Sequence, residues 1–358
     1  MRAARTRFAA SVLAGAVVVG LAVSACSGAP TAARRTTASP TASPSTTASP
    51  MSAAPGVAPL TGLHVAKVAA QPALVVKIEN SSAARPQVGL DRADLVVEEL
   101  VEGGITRFAA MFQSRRAASV GTVGPVRSLR DVDAAIAGPT RGLLASSGGA
   151  AVVLRRLRKA PVQLVLPSRS AYFRSKSRPA PHNLYARADR LWAAADRAHR
   201  APPPPYLPWA ADAATASTSG AGSRPASRLL LTFSRAAHPR WAYDAGSRRW
   251  LRSEGGTPSK VVSGARLAAQ NVVVLRVRTR DAGYRDPVGN PVPETVLTGT
   301  GSALVLSGGR QVAGRWSKAS PYAPLTLTTS SGAPLTVAPG TTWLELVPTS
   351  GGAGVQVR

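Results

Sequence analysis

Short runs of aliphatic and β-branched residues recur along the chain between Gly-, Pro- and Ser-rich breaks, the pattern of strands rather than of long helices. Leu74-Val75-Val76-Lys77-Ile78 predicts a first strand, and residues 95–101 and 105–113 predict two more. Gly103-Gly104 lies between these two and predicts a two-residue hairpin turn. Residues 142–147 predict a strand that turns at Gly148-Gly149 into a helix over 150–159, with Val152, Val153 and Leu157 apolar. A second helix is predicted over 186–200, with Leu191, Trp192 and Ala195 on one side. Beyond this the pattern changes to short strands, at 229–233, 241–243, 249–251, 272–277, 303–306, 325–328 and 342–347, separated by turns rich in Gly and Ser.

These elements predict an α+β fold: a mixed α/β domain over 60–205, a linker over 206–227 and a mainly β domain over 228–350, with 351–358 as a tail. The linker reading rests on the run AADAATASTSGAGSRPAS, which contains no large apolar residue.

The N-terminus has a different character. Arg2, Arg5 and Arg7 precede an uncharged apolar segment over 8–25, and Val23-Ser24-Ala25 leads into Cys26. Basic, then apolar, then small residues before a cleavage point is the order of an export signal, here residues 1–25. Cys26 is the only cysteine of the chain. Its setting resembles the lipobox of bacterial lipoproteins. That resemblance implies a diacylglyceryl group (palmitate among its acyl chains) on Cys26, which becomes the new N-terminus after cleavage. Residues 26–59 then form a Ser-, Thr- and Pro-rich tether that cannot build a core. The expected location is the cell membrane, lipid-anchored on its extracytoplasmic face, with the membrane itself as a partner.

Charge and composition narrow the function classes. The chain carries 44 Lys+Arg against 17 Asp+Glu, a net charge of +27, and counted over residues 1–60, 61–200 and 201–358 the excess is spread along the chain. Aromatics are 5% and no basic stripe interleaves with them, so nucleic acid is not an expected partner. The densest run, Arg155-Arg156-Leu157-Arg158-Lys159, reads as a solvated helix face or as a contact with an anionic surface. One cysteine excludes an internal disulfide, and four His without metal-ligand spacing give no metal site and no cofactor.

Several motifs in order resemble the YerB-like lipoproteins, a family filed as a domain of unknown function (number 3048) with N- and C-terminal parts. Ile78-Glu79-Asn80, Glu98-Glu99-Leu100-Val101-Glu102-Gly103-Gly104-Ile105-Thr106-Arg107-Phe108, Val123-Gly124-Pro125-Val126-Arg127-Ser128-Leu129-Arg130 and Ala180-Pro181-His182-Asn183-Leu184-Tyr185 carry the first part. Gly314-Arg315-Trp316-Ser317-Lys318 and Pro339-Gly340-Thr341-Thr342-Trp343 carry the second. The resemblance implies an exported, lipid-anchored, two-domain protein and brings no established activity. Glu79 stands where the family more often has Asp. Gly148-Gly149-Ala150 stands where Gly-Gly-Ser is common, so no role for that serine carries over.

The candidate ligand-binding residues are Glu98, Glu102, Arg107, Arg127, Ser128, His182 and Asn183. With a two-residue turn, Leu100 faces Arg107, and Glu98 and Glu102 share the Arg107 face. Such a carboxylate pair beside an Arg either ties the fold together or supplies a general acid or base. Arg127, Ser128 and Arg130, which follow Gly124-Pro125, suit a carboxylate or phosphate, or else a salt bridge to the acids. His182 in a Pro-rich loop can exchange protons near neutral pH, and it equally suits a structural hydrogen bond to its surroundings. Trp241, Trp250, Trp316 and Trp343 either pack the β domain or stack on sugars. Gly299-Thr300-Gly301 lacks the context of a dinucleotide site. The function expected is a binding or accessory module for a cell-wall polymer such as peptidoglycan, a peptide or an envelope protein. The alternative is a wall-acting hydrolase or transferase with a Glu/His site.

Overall fold

The computed structural model describes residues 56–358. The expected signal peptide, Cys26 and the expected tether up to residue 55 lie outside the described residues, which belong to one compact unit. In chain order the first part contains β1 (Leu74–Glu79), β2 (Leu95–Leu100), β3 (Thr106–Phe112), α1 (Ala117–Val120), β4 (Thr122–Val123), α2 (Asp133–Ala137), β5 (Leu143–Ala145), α3 (Ala151–Leu157), β6 (Gln163–Val165), β7 (Tyr172–Arg174), β8 (Leu184–Arg187) and α4 (Ala188–Ala193). The second part adds β9 (Arg224–Pro225), β10 (Arg228–Thr232), β11 (Pro239–Asp244), β12 (Arg249–Glu254), β13 (Thr257–Pro258), β14 (Ala268–Ala269), β15 (Asn271–Arg285), β16 (Pro291–Val296), β17 (Gly299–Ser307), β18 (Arg310–Lys318), β19 (Thr326–Thr328), β20 (Thr342–Pro348) and β21 (Gly354–Val357). Strands make up 40% and helices 13%, so the protein is predominantly β, and the α/β character expected for 60–205 reduces to a mixed sheet with short helices. The mainly β character of the second part is as expected.

One twelve-stranded sheet runs through both parts in the order β19-β18-β17-β15-β20-β2-β3-β1-β5-β6, with β16 beside β15 and β9 beside β18. β2 pairs in parallel with β20, Leu95 opposite Thr342 and Glu98 opposite Glu345. A second sheet, β13-β12-β11-β10-β21 with β14, covers one face, and β4-β8-β7 form a third. Because side chains alternate across the large sheet, its strands feed two cores. One contains Val96, Phe108, Trp241, Trp250 and Trp343, and the other Val97, Ala109, Val153, Leu157 and Trp316. All four of these Trp are at most 3% exposed, so they pack rather than present stacking surfaces.

Two stretches differ from the sequence expectation. Residues 206–227 are packed down: Tyr206 donates its hydroxyl to the Ile136 carbonyl at 2.9 Å, Trp209 donates Nε1 to the Pro59 carbonyl at 3.0 Å, and β9 pairs with β18. Its three large apolar side chains, Tyr206, Leu207 and Trp209, anchor a segment that has no other large apolar residue. The expected tail over 351–358 contains β21, which pairs with β10.

Candidate functional site: a polar cup over a buried carboxylate

Three strands place Glu79, Arg107 and Glu99 in one row, since Glu79 on β1 and Glu99 on β2 both lie opposite Arg107 on β3. The β2–β3 connection is a three-residue turn, Glu102–Gly104, closed by Val101 N–H donating to the Ile105 carbonyl. Gly103 and Gly104 both have positive φ (70° and 71°), a conformation glycine adopts without a Cβ penalty. The expected two-residue turn is therefore one residue short. A one-residue change of register moves every side chain of the strand to the other face. Glu99, not Leu100, opposes Arg107, and Glu98 faces away from it. Glu102 reaches Arg107 from the turn itself.

A dense ionic network fills this face. Lys77 Nζ contacts Glu99 and lies 2.8 Å from Asp133 Oδ1, with all three side chains at most 1% exposed. Arg107 donates Nη1 to the Ser128 carbonyl at 3.0 Å and Nη2 to Glu102. Arg130 grips the same Glu102 at two points, with Nε 2.8 Å from Oε2. Burial pushes Glu99 up to about 7, against the pull of Lys77 and with Asp133 adding to the rise. Burial pushes Glu102 the same way, but Arg107 and Arg130 outweigh it and hold the carboxyl below its usual range. Burial and the neighbouring Arg130 lower Arg107 to about 10.

Beside this network the structure opens to solvent. Residues 125–127 run antiparallel to the end of β1, with Glu79 N–H donating to the Pro125 carbonyl and Arg127 N–H to the Lys77 carbonyl. Val126 N–H in turn donates to the Leu184 carbonyl, which brings the His182 loop alongside. Glu79, 1% exposed, becomes the floor of a cup: its Oε1 accepts from Ser81 Oγ at 2.9 Å and lies 2.9 Å from His182 Nδ1. Arg127 Nε is 3.6 Å from Glu79 Oε2. Arg127 and His182 are 22% and 24% exposed, and the Arg127 terminal nitrogens and His182 Nε2 have no protein partner among the described residues. Ser128 Oγ and Ser147 Oγ are 3.3 Å apart at the rim.

Buried polar atoms normally find partners. Here Glu79 Oε2, Glu99 Oε2, Arg107 Nε, Arg127 Nε, Asp131 Oδ2 and Tyr284 Oη are buried without one, all on or beside this face. Next to it, a groove of about 540 Å³ separates residues 100–104 from the β15–β16 ribbon, with Glu102, Gly103, Arg280 and Pro291 among its walls.

Of the residues expected from sequence, Glu102, Arg107, Arg127, Ser128 and His182 converge here. Glu98 does not, for the register reason above. Asn183 does not either: its side chain accepts from Arg174 at 2.7 Å and donates to the Ser175 carbonyl at 3.1 Å, inside its own hairpin. Sequence reasoning missed Glu79 as the partner of His182, and it missed Ser147 and Tyr284; Arg130 makes the salt bridge to the acid cluster that was one of the two readings for it. The signals for Glu79 were an acid at the end of an apolar strand and its place in the Ile78-Glu79-Asn80 motif. Among the described residues, no cluster of three His, Cys, Asp or Glu is placed to hold a metal ion, and no helix is long and apolar enough to cross a membrane.

Residues 60–201 match the model described as "Protein of unknown function (DUF3048) N-terminal domain", and residues 229–344 match the DUF3048 C-terminal domain. The chain belongs to the DUF3048 family. A Bacillus subtilis (strain 168) protein named "Putative lipoprotein YerB" is 35% identical over 144 residues, 39% of this chain and 43% of that protein. The match thus spans less than half the length of that curated relative. The crystal structure of YerB from Bacillus subtilis superposes with a TM-score of 0.69 at 25% identity, over 84% of this chain and 99% of that one.

In this DUF3048 protein the opposite face of the same strands holds a second polar cluster. Glu98 receives two hydrogen bonds from Arg252 Nη2, at 2.8 and 3.0 Å, and one from Thr106 Oγ1 at 2.6 Å. Arg252 also reaches Glu254 at 2.9 Å, and Trp241 Nε1 donates to Glu345 at 2.9 Å. Glu98 and Glu345 are fully buried. With Glu98, Arg252 and Glu345 buried, this cluster ties the two family parts together.

Proposed function

We propose that the protein is exported, lipid-anchored through Cys26 at the extracytoplasmic face of the cell membrane, and acts as a binding or accessory module for a cell-wall polymer, a peptide or a partner protein. The order of the N-terminal segments and the name of the Bacillus relative support the first half. The observation that carries the second is the cup, in which Arg127 presents free donors and His182 a free ring nitrogen above buried Glu79. A carboxylate or phosphate group on the ligand would accept from the Arg127 terminal nitrogens and the rim hydroxyls. The Arg127 side chain is already held near Glu79, so less freedom is lost on binding.

The test is retention of the chain from residue 48 by purified peptidoglycan, compared with its Arg127→Ala and His182→Ala variants. Weaker retention by both supports the reading, and unchanged retention removes the cup as the site. In cells, Cys26→Ser should move the protein out of the membrane fraction. Persistent membrane retention without an acyl mass on Cys26 would refute the anchor.

The Glu79–His182 contact supports a second reading. A carboxylate that fixes Nδ1 leaves Nε2 free to act as a base, as in hydrolytic sites. A hydrolase or transferase of wall material would lose turnover in His182→Ala, whereas a binding module has no turnover to lose.

A further inference from the structure

The main sheet has two ends of different chemistry. β1, β2, β5, β6, β15 and β20 all run in one direction. The cup sits where these strands finish: Glu79 ends β1, Glu102 follows β2, and Ser147 follows β5. Where they start, the surface is basic. Arg115 and Arg116 follow β3, Arg141 precedes β5, and Arg158 and Lys159 at the end of α3 precede β6. Arg197 joins them because the Gln163 side chain bonds Ala194 O at 2.7 Å and Asp196 N at 2.8 Å, pinning that segment to the start of β6.

These six side chains belong to exposed residues, and none has an ion-pair partner among the described residues. The exposed acids nearby are Asp91, Asp189 and Asp196, of which Asp189 lies against Arg190 and Asp196 against His199. Residues 151–200 contain twelve Lys or Arg and two Asp, a concentration that a count over the whole of 61–200 conceals. The described chain also enters at this end. Thr61 accepts from Gly340 N–H at 2.7 Å, immediately before β20.

We infer that this strand-start surface lies against a bilayer carrying anionic headgroups, so that the anchored protein presents its cup away from the membrane. The inference rests on the lipid-anchor reading for its biological setting. The physical argument is separate: unpaired basic side chains gathered at the end from which the tether departs are attracted to a negative surface within a Debye length. The tether brings that end nearest the membrane, and the charge then fixes which way the domain faces.

The experiment mixes residues 56–358, the described compact unit, with phosphatidylcholine vesicles with and without phosphatidylglycerol. The expected result is co-sedimentation with the anionic vesicles alone, reversed by salt. Arg158→Glu/Lys159→Glu/Arg197→Glu should reduce the bound fraction by about tenfold or more, and Arg235→Glu/Arg240→Glu on the second sheet should leave it unchanged. The Gln version of the first set, which adds no new charge, should give an intermediate loss if any Glu variant folds poorly. Equal binding to neutral vesicles, no effect of the Gln and Glu sets, or preference for a soluble glycerol-phosphate polymer over the vesicles overturns the inference. Vesicle binding that persists when Cys26 proves unacylated in cells would leave this surface standing and remove the anchor. An acylated Cys26 without vesicle binding would do the reverse.

Discussion

Glu98 and Glu345 stand directly opposite each other on the adjacent parallel strands β2 and β20, both fully buried, with one Arg252 between them and Glu254. Three carboxylates around one guanidinium cannot all be ionised where two of them are fully buried. Asn80 and Thr106 donate to Glu98, and Arg85 adds a more distant positive charge near Glu254. Burial and the neighbouring Glu98 hold Glu345 well above the ordinary carboxylate range, with Arg252 pulling the other way. The pair therefore keeps a proton that the unfolded chain gives up.

The sign of the pH dependence follows. A group whose pKa is raised by folding contributes fully below its unfolded value and loses that contribution as pH rises toward the folded value. Thermal melts should thus show stability falling on the alkaline side. Glu345→Gln keeps an oxygen for Trp241 Nε1 and an N–H for Glu98 without needing a proton. It should gain on the order of 1–2 kcal/mol at alkaline pH and nothing near pH 4, flattening the profile. A variant profile parallel to the wild type would contradict the shared proton.

Glu102 holds two buried guanidinium groups at the β2–β3 turn. Removing it by Glu102→Ala leaves Arg107, 2% exposed, without its principal counter-charge and should cost about 3 kcal/mol in urea denaturation. Arg107→Met in the same background should recover much of that loss, because an apolar side chain no longer needs a partner there. Additive losses in the double variant would mean the contact contributes little.

Gly301 illustrates a close approach. A Cβ at this position would lie 2.4 Å from Trp316 Nε1 and 2.5 Å from the Arg276 carbonyl, the two atoms that hydrogen-bond each other at 3.0 Å. Gly301→Ala should break that bond and shift the Trp316 ring, with a loss of about 2–3 kcal/mol and an altered Trp fluorescence maximum. The exposed Gly299→Ala has free space around it, and its cost should come from its backbone angle (φ 91°) alone.

Most strands were legible because their apolar runs are bounded by turn residues, as with β1, β3 and β15. β18 was not, since Gly314 and Lys318 occupy inward positions where alternation would show large apolar residues. The helix expected over 186–200 stops at Ala193, because the Asp196 carboxylate accepts from the backbone of Ala198 and His199 and starts a separate turn. At the site, residue identities were readable and their pairing was not. A turn one residue longer than expected exchanged Glu98 for Glu99. The partner of His182 lies 103 residues away, fixed by a strand pairing that no local pattern encodes.

β20 is the last strand but one in the chain: only β21 follows it, yet among the described strands it alone joins β2 to β15 in the main sheet. A chain delivered from its N-terminus therefore carries two unsatisfied sheet edges until residues 342–348 arrive. Closure of the fold waits for nearly the last segment, and any truncation before that point produces two open, adhesive half-sheets instead of a smaller version of the protein.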